Sequence, residues 1–102
     1  MQNLMDRHAE LCKVFSSPVR LRILDALRTG FRSVQDLAGR LHLPVATVSQ
    51  HLQMMKHRRV VEGTRMGTLV FYRLVNPKLM KAFDLIHEIL SEQLRKDAKE
   101  AL

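Results

Sequence analysis

Apolar positions recur at helical spacing through the first half of this chain, turn strand-like after Val60 and become helical again from Leu79. Residues 3 to 16 predict a helix with Leu4, His8, Leu11, Cys12 and Phe15 on one stripe. Ser16-Ser17-Pro18 interrupts it, where Ser17 suits an N-cap and Pro18 the first helical position. A second helix then runs to about Arg28 with Leu21, Leu24 and Leu27 inward, and Gly30 ends it. Ser33-Val34-Gln35-Asp36 has the form of a capping box, with Asp where Glu or Gln is usual. It opens a short helix burying Val34, Leu37, Ala38 and Leu41.

His42-Leu43-Pro44 is long enough only for a tight turn, and LPVATVSQHLQMMKHRR (43 to 59) follows as a fourth helix. Two short helices joined by about three residues make a helix-turn-helix. From Val60, VVEGTRMGTLVFYRL holds two β-rich runs about Arg65-Met66-Gly67-Thr68, with Gly67 supplying the positive φ of a hairpin turn. Asn76-Pro77 caps and opens the last helix. Its Leu79, Met80, Phe83, Leu85, Ile86, Ile89, Leu90 and Leu94 cover too wide an arc for one small core, so a second protomer is the economical partner. The end, SEQLRKDAKEAL, is polar and helix-favouring, and either extends this helix or frays.

Composition narrows the function. The chain has 102 residues, enough for one domain, and 46% of them are hydrophobic. Seventeen Lys+Arg against ten Asp+Glu leave +7, which favours a polyanionic partner. Nucleic acid leads over membrane: no apolar run approaches spanning length, and MQNLMDRHAE lacks the basic-then-apolar layout of a signal peptide. A single cysteine, Cys12, excludes an intrachain disulfide framework and suits a reducing cytoplasm.

The fourth helix carries the chemistry. Val48, Leu52 and Met55 face one way; Ala46, Gln50, Gln53 and His57 face the other, flanked by Thr47 and Ser49. Such a face suits a major groove: Gln pairs with the adenine edge, Ser and Thr bond bases or phosphates, and Ala packs on a thymine methyl. The helix's first turn enters the groove, so Ala46, Thr47, Ser49 and Gln50 are the expected base readers. Lys56, Arg58 and Arg59 at the far end, with Arg65 and Thr68 at the hairpin tip, are expected to hold phosphates. His51, between the two sectors, reads as a packing or phosphate-contact residue. On the helix alone, a solvated face of a helical bundle fits as well; the order of elements and the charge decide between the readings.

In this arrangement the sequence resembles the ArsR/SmtB family of winged helix-turn-helix repressors. The matching stretches are SPVRLRIL (17 to 24), DLAGRLHLPVATVSQHL (36 to 52) and RMGTLVFYRL (65 to 74). The resemblance implies a mainly α fold with a small β-hairpin wing, in the order α-α-α-α-β-β-α. Residues 1–102 then form a single DNA-binding domain, with 33–57 the helix-turn-helix, 60–74 the wing and 96–102 a polar tail. It further implies a homodimer through helices 3–16 and 77–95, which makes Leu4, Leu11, Phe15, Leu79, Phe83, Ile86, Leu90 and Leu94 the candidate interface. The implied partner is double-stranded DNA with a palindromic operator, and repression is relieved by an inducer, often a metal ion.

The chain departs from that family in two places. Where the family usually has a Gly after the recognition helix, this sequence has His57-Arg58-Arg59, so the exit is strained or the helix runs on, and positive charge is added beside the wing. Where many members carry a Cys pair, this chain has Ser33 and Gln35, which cannot supply a thiolate. The other usual ligand set, counted from Asp84, falls on Ile86, Asp97 and Glu100, where Ile86 breaks it. A metal cofactor therefore has no inherited site. The remaining sensor candidates are His8 with Cys12, one helical turn apart, and His87 beside Asp84 and Glu88. Cys12 reads either as a redox switch or as a buried small hydrophobe, the commoner fate of a free cysteine. His87 reads as a carboxylate-oriented ligand or, more simply, as a surface pair.

A DNA-binding repressor is the leading expectation, with a winged-helix module that binds protein as its rival from another class. An enzyme is the least favoured class, because no nucleophile, base and orienting residue fall together.

Overall fold

In the computed structural model, which describes residues 2–101, α1 (Leu4–Cys12) leads through a 3₁₀ turn to α2 (Pro18–Ala26). A second 3₁₀ turn and a two-residue strand β1 (Arg32–Ser33) precede α3 (Val34–Leu41) and α4 (Val45–His57). The hairpin β2 (Val61–Met66) and β3 (Leu69–Leu74) follows, and α5 (Leu79–Glu100) closes the chain. The fold is the expected mainly helical one, with β1 added. That strand pairs antiparallel with β3, Arg32 opposite Tyr72, giving the sheet order β1-β3-β2.

Local chemistry accounts for the element ends. The Ser17 hydroxyl accepts from the Arg20 amide at 3.3 Å, with Pro18 in the first turn. Ser33 caps α3 by accepting from the Asp36 amide at 3.0 Å, but the box is half made. The Asp36 carboxylate instead receives Arg40 at 2.9 Å and Arg32 at 3.2 Å, and the Arg40 bond leads in holding its pKa below the usual range. The full reciprocal box lies at α1, between Asn3 and Asp6. Gly67, at φ 64, opens the two-residue hairpin loop between Met66 and Leu69.

Val48, Leu52 and Met55 of α4 are fully buried against Ile23 and Leu24 of α2 and Leu37 of α3. Tyr72 and Leu74 of β3 and Met80 and Phe83 of α5 complete this core. Beyond Phe83 every described residue of α5 is exposed, and the helix continues through residues 96 to 100, which were expected as a tail. Leu102, at the end of that expected tail, lies outside the described residues.

Candidate nucleic-acid interface

The turn between α3 and α4 is set by backbone geometry. His42 adopts the left-handed conformation (φ 55), while the Leu43 amide donates to the Ala38 carbonyl at 3.1 Å. Pro44 then starts α4 without a side-chain cap, so the first amides of that helix remain open to an acceptor such as a phosphate. Ala46 and Gln50 are exposed beside them, and Thr47 and Ser49 are half-buried. Val45 is exposed too. Sequence reasoning missed it, because its spacing to Val48 and Leu52 places it on the apolar stripe, whereas the turn lifts it off the core.

Gln53 is exposed but anchored: its amide donates to the Tyr72 hydroxyl at 3.2 Å, joining α4 to the wing. His51 faces Arg20, whose Nη1 lies 3.4 Å from His51 Nδ1. The same guanidinium donates to the carbonyls of Lys13 (2.7 Å) and Val14 (3.1 Å) and to the Ser16 hydroxyl (3.1 Å). Arg20 therefore ties the end of α1 and α2 to the recognition helix. Burial, and then the Arg20 charge, pushes the His51 pKa down. Lys56, Arg65 and Thr68 are exposed, the last two on the hairpin. Arg73 is paired with Glu62 and lies over the Phe31 ring at 5.3 Å.

Two expected phosphate contacts are placed elsewhere. Arg58 turns to α1, donating to the Glu10 carbonyl at 2.6 Å and to its carboxylate at 2.5 Å. Glu10 also receives Lys13 at 2.9 Å, and these bonds, Lys13 first, hold its pKa below the usual carboxylate value. Arg59, exposed, lines the same cleft against α1. The reason is geometric: Arg59 takes φ 60, and the Val60 amide donates back to the Met55 carbonyl at 2.9 Å, which ends α4 sharply and swings both side chains towards α1.

Residues 17–62 match the model of the bacterial regulatory protein arsR family. The transcriptional repressor PagR of Bacillus anthracis is 34% identical over 86 residues, which span 83% of this chain and 86% of that protein. The chain belongs to the ArsR family. The SmtB repressor of Mycobacterium tuberculosis is 40% identical over 78 residues, covering 76% of this chain but 58% of that relative's length. Among solved structures, the homodimeric winged helix-turn-helix domain Mb0332 of Mycobacterium bovis superposes with a TM-score of 0.81 at 32% identity, over 91% of this chain and 86% of that one.

Against the family pattern, of the two exits expected at the recognition helix the strained one is found: Arg59 occupies the left-handed position that a Gly fills without steric cost. At the positions of the Cys pair, Ser33 is a buried helix cap and Gln35 is exposed. Asp84 does not orient His87; both its oxygens are taken by Arg28, at 2.8 and 2.9 Å, which holds its pKa down. His87 instead lies with Nδ1 3.0 Å from the Phe83 carbonyl and its ring stacked on Phe83 at 4.1 Å. Cys12 is exposed in the protomer, which corrects the buried reading, and His8 is exposed as well. Among the described residues no three His, Cys, Asp or Glu side chains group as a metal site, and no helix is long and apolar enough to cross a membrane.

The expected dimer residues divide. Leu4, Leu11, Ile86, Leu90 and Leu94 are exposed, as are Leu85 and Ile89. Phe83 is instead buried in its own protomer, where Arg28 lies 5.4 Å over its ring, and Phe15 and Leu79 are half-buried against the core. These three face inward because the first turns of α5 and the turn after α1 close the core of the single chain.

Proposed function

We propose that this protein is a homodimeric, sequence-specific DNA-binding repressor working in a reducing cytoplasm. The carrying observation is α4: one face wholly buried, the other presenting short polar side chains beside an uncapped N-terminus. In this reading Ala46, Thr47, Ser49 and Gln50 read bases, with Val45 packing on a thymine methyl. Gln53 and Lys56 follow along the groove, and Arg65 and Thr68 of the wing grip flanking phosphates. The exposed apolar rows of α1 and α5 meet those of a second copy. Two α4 helices then enter successive major grooves about 34 Å apart on a palindromic operator.

Fluorescence anisotropy on the DNA upstream of its own coding sequence tests this. Gln50→Ala should relax base preference, whereas Arg65→Ala should weaken every sequence alike and reduce the salt dependence. Uniform losses in both variants across operator mutants would remove α4 as the reading element. Absence of any salt-sensitive affinity would favour a protein-binding winged helix instead.

A further inference from the structure

We infer that the cleft between α1 and the exit of α4 binds a small polyanion, a molecule carrying two or more carboxylate or phosphate groups. As the site of an inducer it rests on the repressor reading above; as a binding site it stands without it. The cleft holds about 540 Å³, inside the range of roughly 300–1,000 Å³ usual for small-molecule sites. Arg7, Arg58 and Arg59 line it with His57, against one carboxylate, Glu10. That carboxylate is already shared between Lys13 and Arg58. Arg7 and Arg59 make no ion pair among the described residues. The cleft therefore carries unneutralised guanidinium groups, whose forked donors match carboxylate and phosphate oxygens.

Two further features sit on the same residues. Arg58 Nε is buried without a hydrogen-bond partner among the described residues, although its Nη1 is doubly engaged by Glu10. A bidentate oxyanion that displaces the Glu10 carboxylate and draws the guanidinium outward can engage Nε as well as Nη1, which Glu10 does not do. Arg59 holds φ 60, a left-handed conformation that strains any residue with a Cβ. Backbone strain of this kind clusters at ligand clamps and switch regions. The location separates the site from base reading: His57 is eleven residues beyond Ala46 in the same helix, about 16 Å along its axis. An anion there pulls at once on the last turn of α4 and on α1, the two elements that Arg58 now joins through Glu10.

Pyrophosphate and citrate, titrated by calorimetry and thermal shift at constant ionic strength without DNA, are the probes. Saturable binding is expected, weakened at least tenfold by Arg7→Ala and by Arg59→Gly, and largely retained in Arg59→Lys. Glu10→Gln, which removes the competing carboxylate, should tighten it. Arg59→Gly relieves strain, so its loss of binding will not reflect misfolding. Failure of both probes to saturate in the millimolar range, or binding indifferent to Arg7 and Arg59, overturns the site. Operator affinity with and without the probe, again at fixed ionic strength, is read separately. A protein that binds the probe but no DNA sinks the repressor reading and leaves the cleft standing.

Discussion

The Gln53 side chain, exposed on the outer polar face of α4, is held by the hydroxyl of Tyr72, buried in the central strand of the sheet. One hydrogen bond thus ties α4 to the wing and sets the orientation of an exposed amide. Gly63, across from Tyr72 in β2, makes room for that ring: a Cβ there would stand 3.1 Å from it. Tyr72→Phe keeps the packing and removes the bond, so stability should fall by only about 1 kcal/mol. Base selectivity at the step beneath Gln53 should fall with it, as in Gln53→Ala. Operator-variant binding beside urea melts checks this; unchanged selectivity in Tyr72→Phe would show that the bond is structural alone.

Arg59→Gly should stabilise the fold. The position is left-handed, and a glycine there avoids the Cβ clash at the expense of some unfolded-state entropy, for a gain of up to about 1 kcal/mol. A higher urea midpoint with an unchanged slope is the expected result. Arg59→Ala, which keeps the Cβ, should not show it.

Acid should destabilise the protein in two stages. The His51 pKa is lowered in the fold, so the unfolded chain takes up its proton first. This contribution is complete above the ordinary histidine value of about 6.5 and is lost as pH falls below it. The carboxyls of Glu10, Asp36 and Asp84 also have lowered values. Their contribution is present above the ordinary carboxylate range and disappears as pH falls through their folded values. Melting temperature against pH should show both, and His51→Gln should remove the upper stage alone.

Ile86→Glu and Leu90→Glu should each convert a dimer to a folded monomer. Both side chains are about half exposed in the protomer, so a charge there costs little within one chain but is desolvated in a two-fold contact. Sedimentation velocity with circular dichroism reads both properties, and operator affinity should drop by tenfold or more as the second half-site is lost. A wild-type protein that sediments as a monomer at micromolar concentration would dismiss the dimer.

Local rules made much of this protein legible in its sequence. The apolar stripe Val48-Leu52-Met55, the Ser17-Pro18 and Ser33 helix starts, and the hairpin at Gly67 each depend on residues within a turn or two of one another. Their structures follow the pattern. The outward polar face of α4 was readable for the same reason, since burying one side of a helix defines the other. What the pattern could not supply are contacts between residues far apart in the chain. β1 is two residues long and exists only because β3 pairs with it. Arg58 carries the same charge whether it faces a phosphate or Glu10, forty-eight residues away, and the left-handed exit at Arg59 decides which. Asp84 neighbours His87 in sequence yet pairs with Arg28. Periodicity tells which side of an element is buried; only the packing of elements tells a long polar side chain which partner lies within its reach.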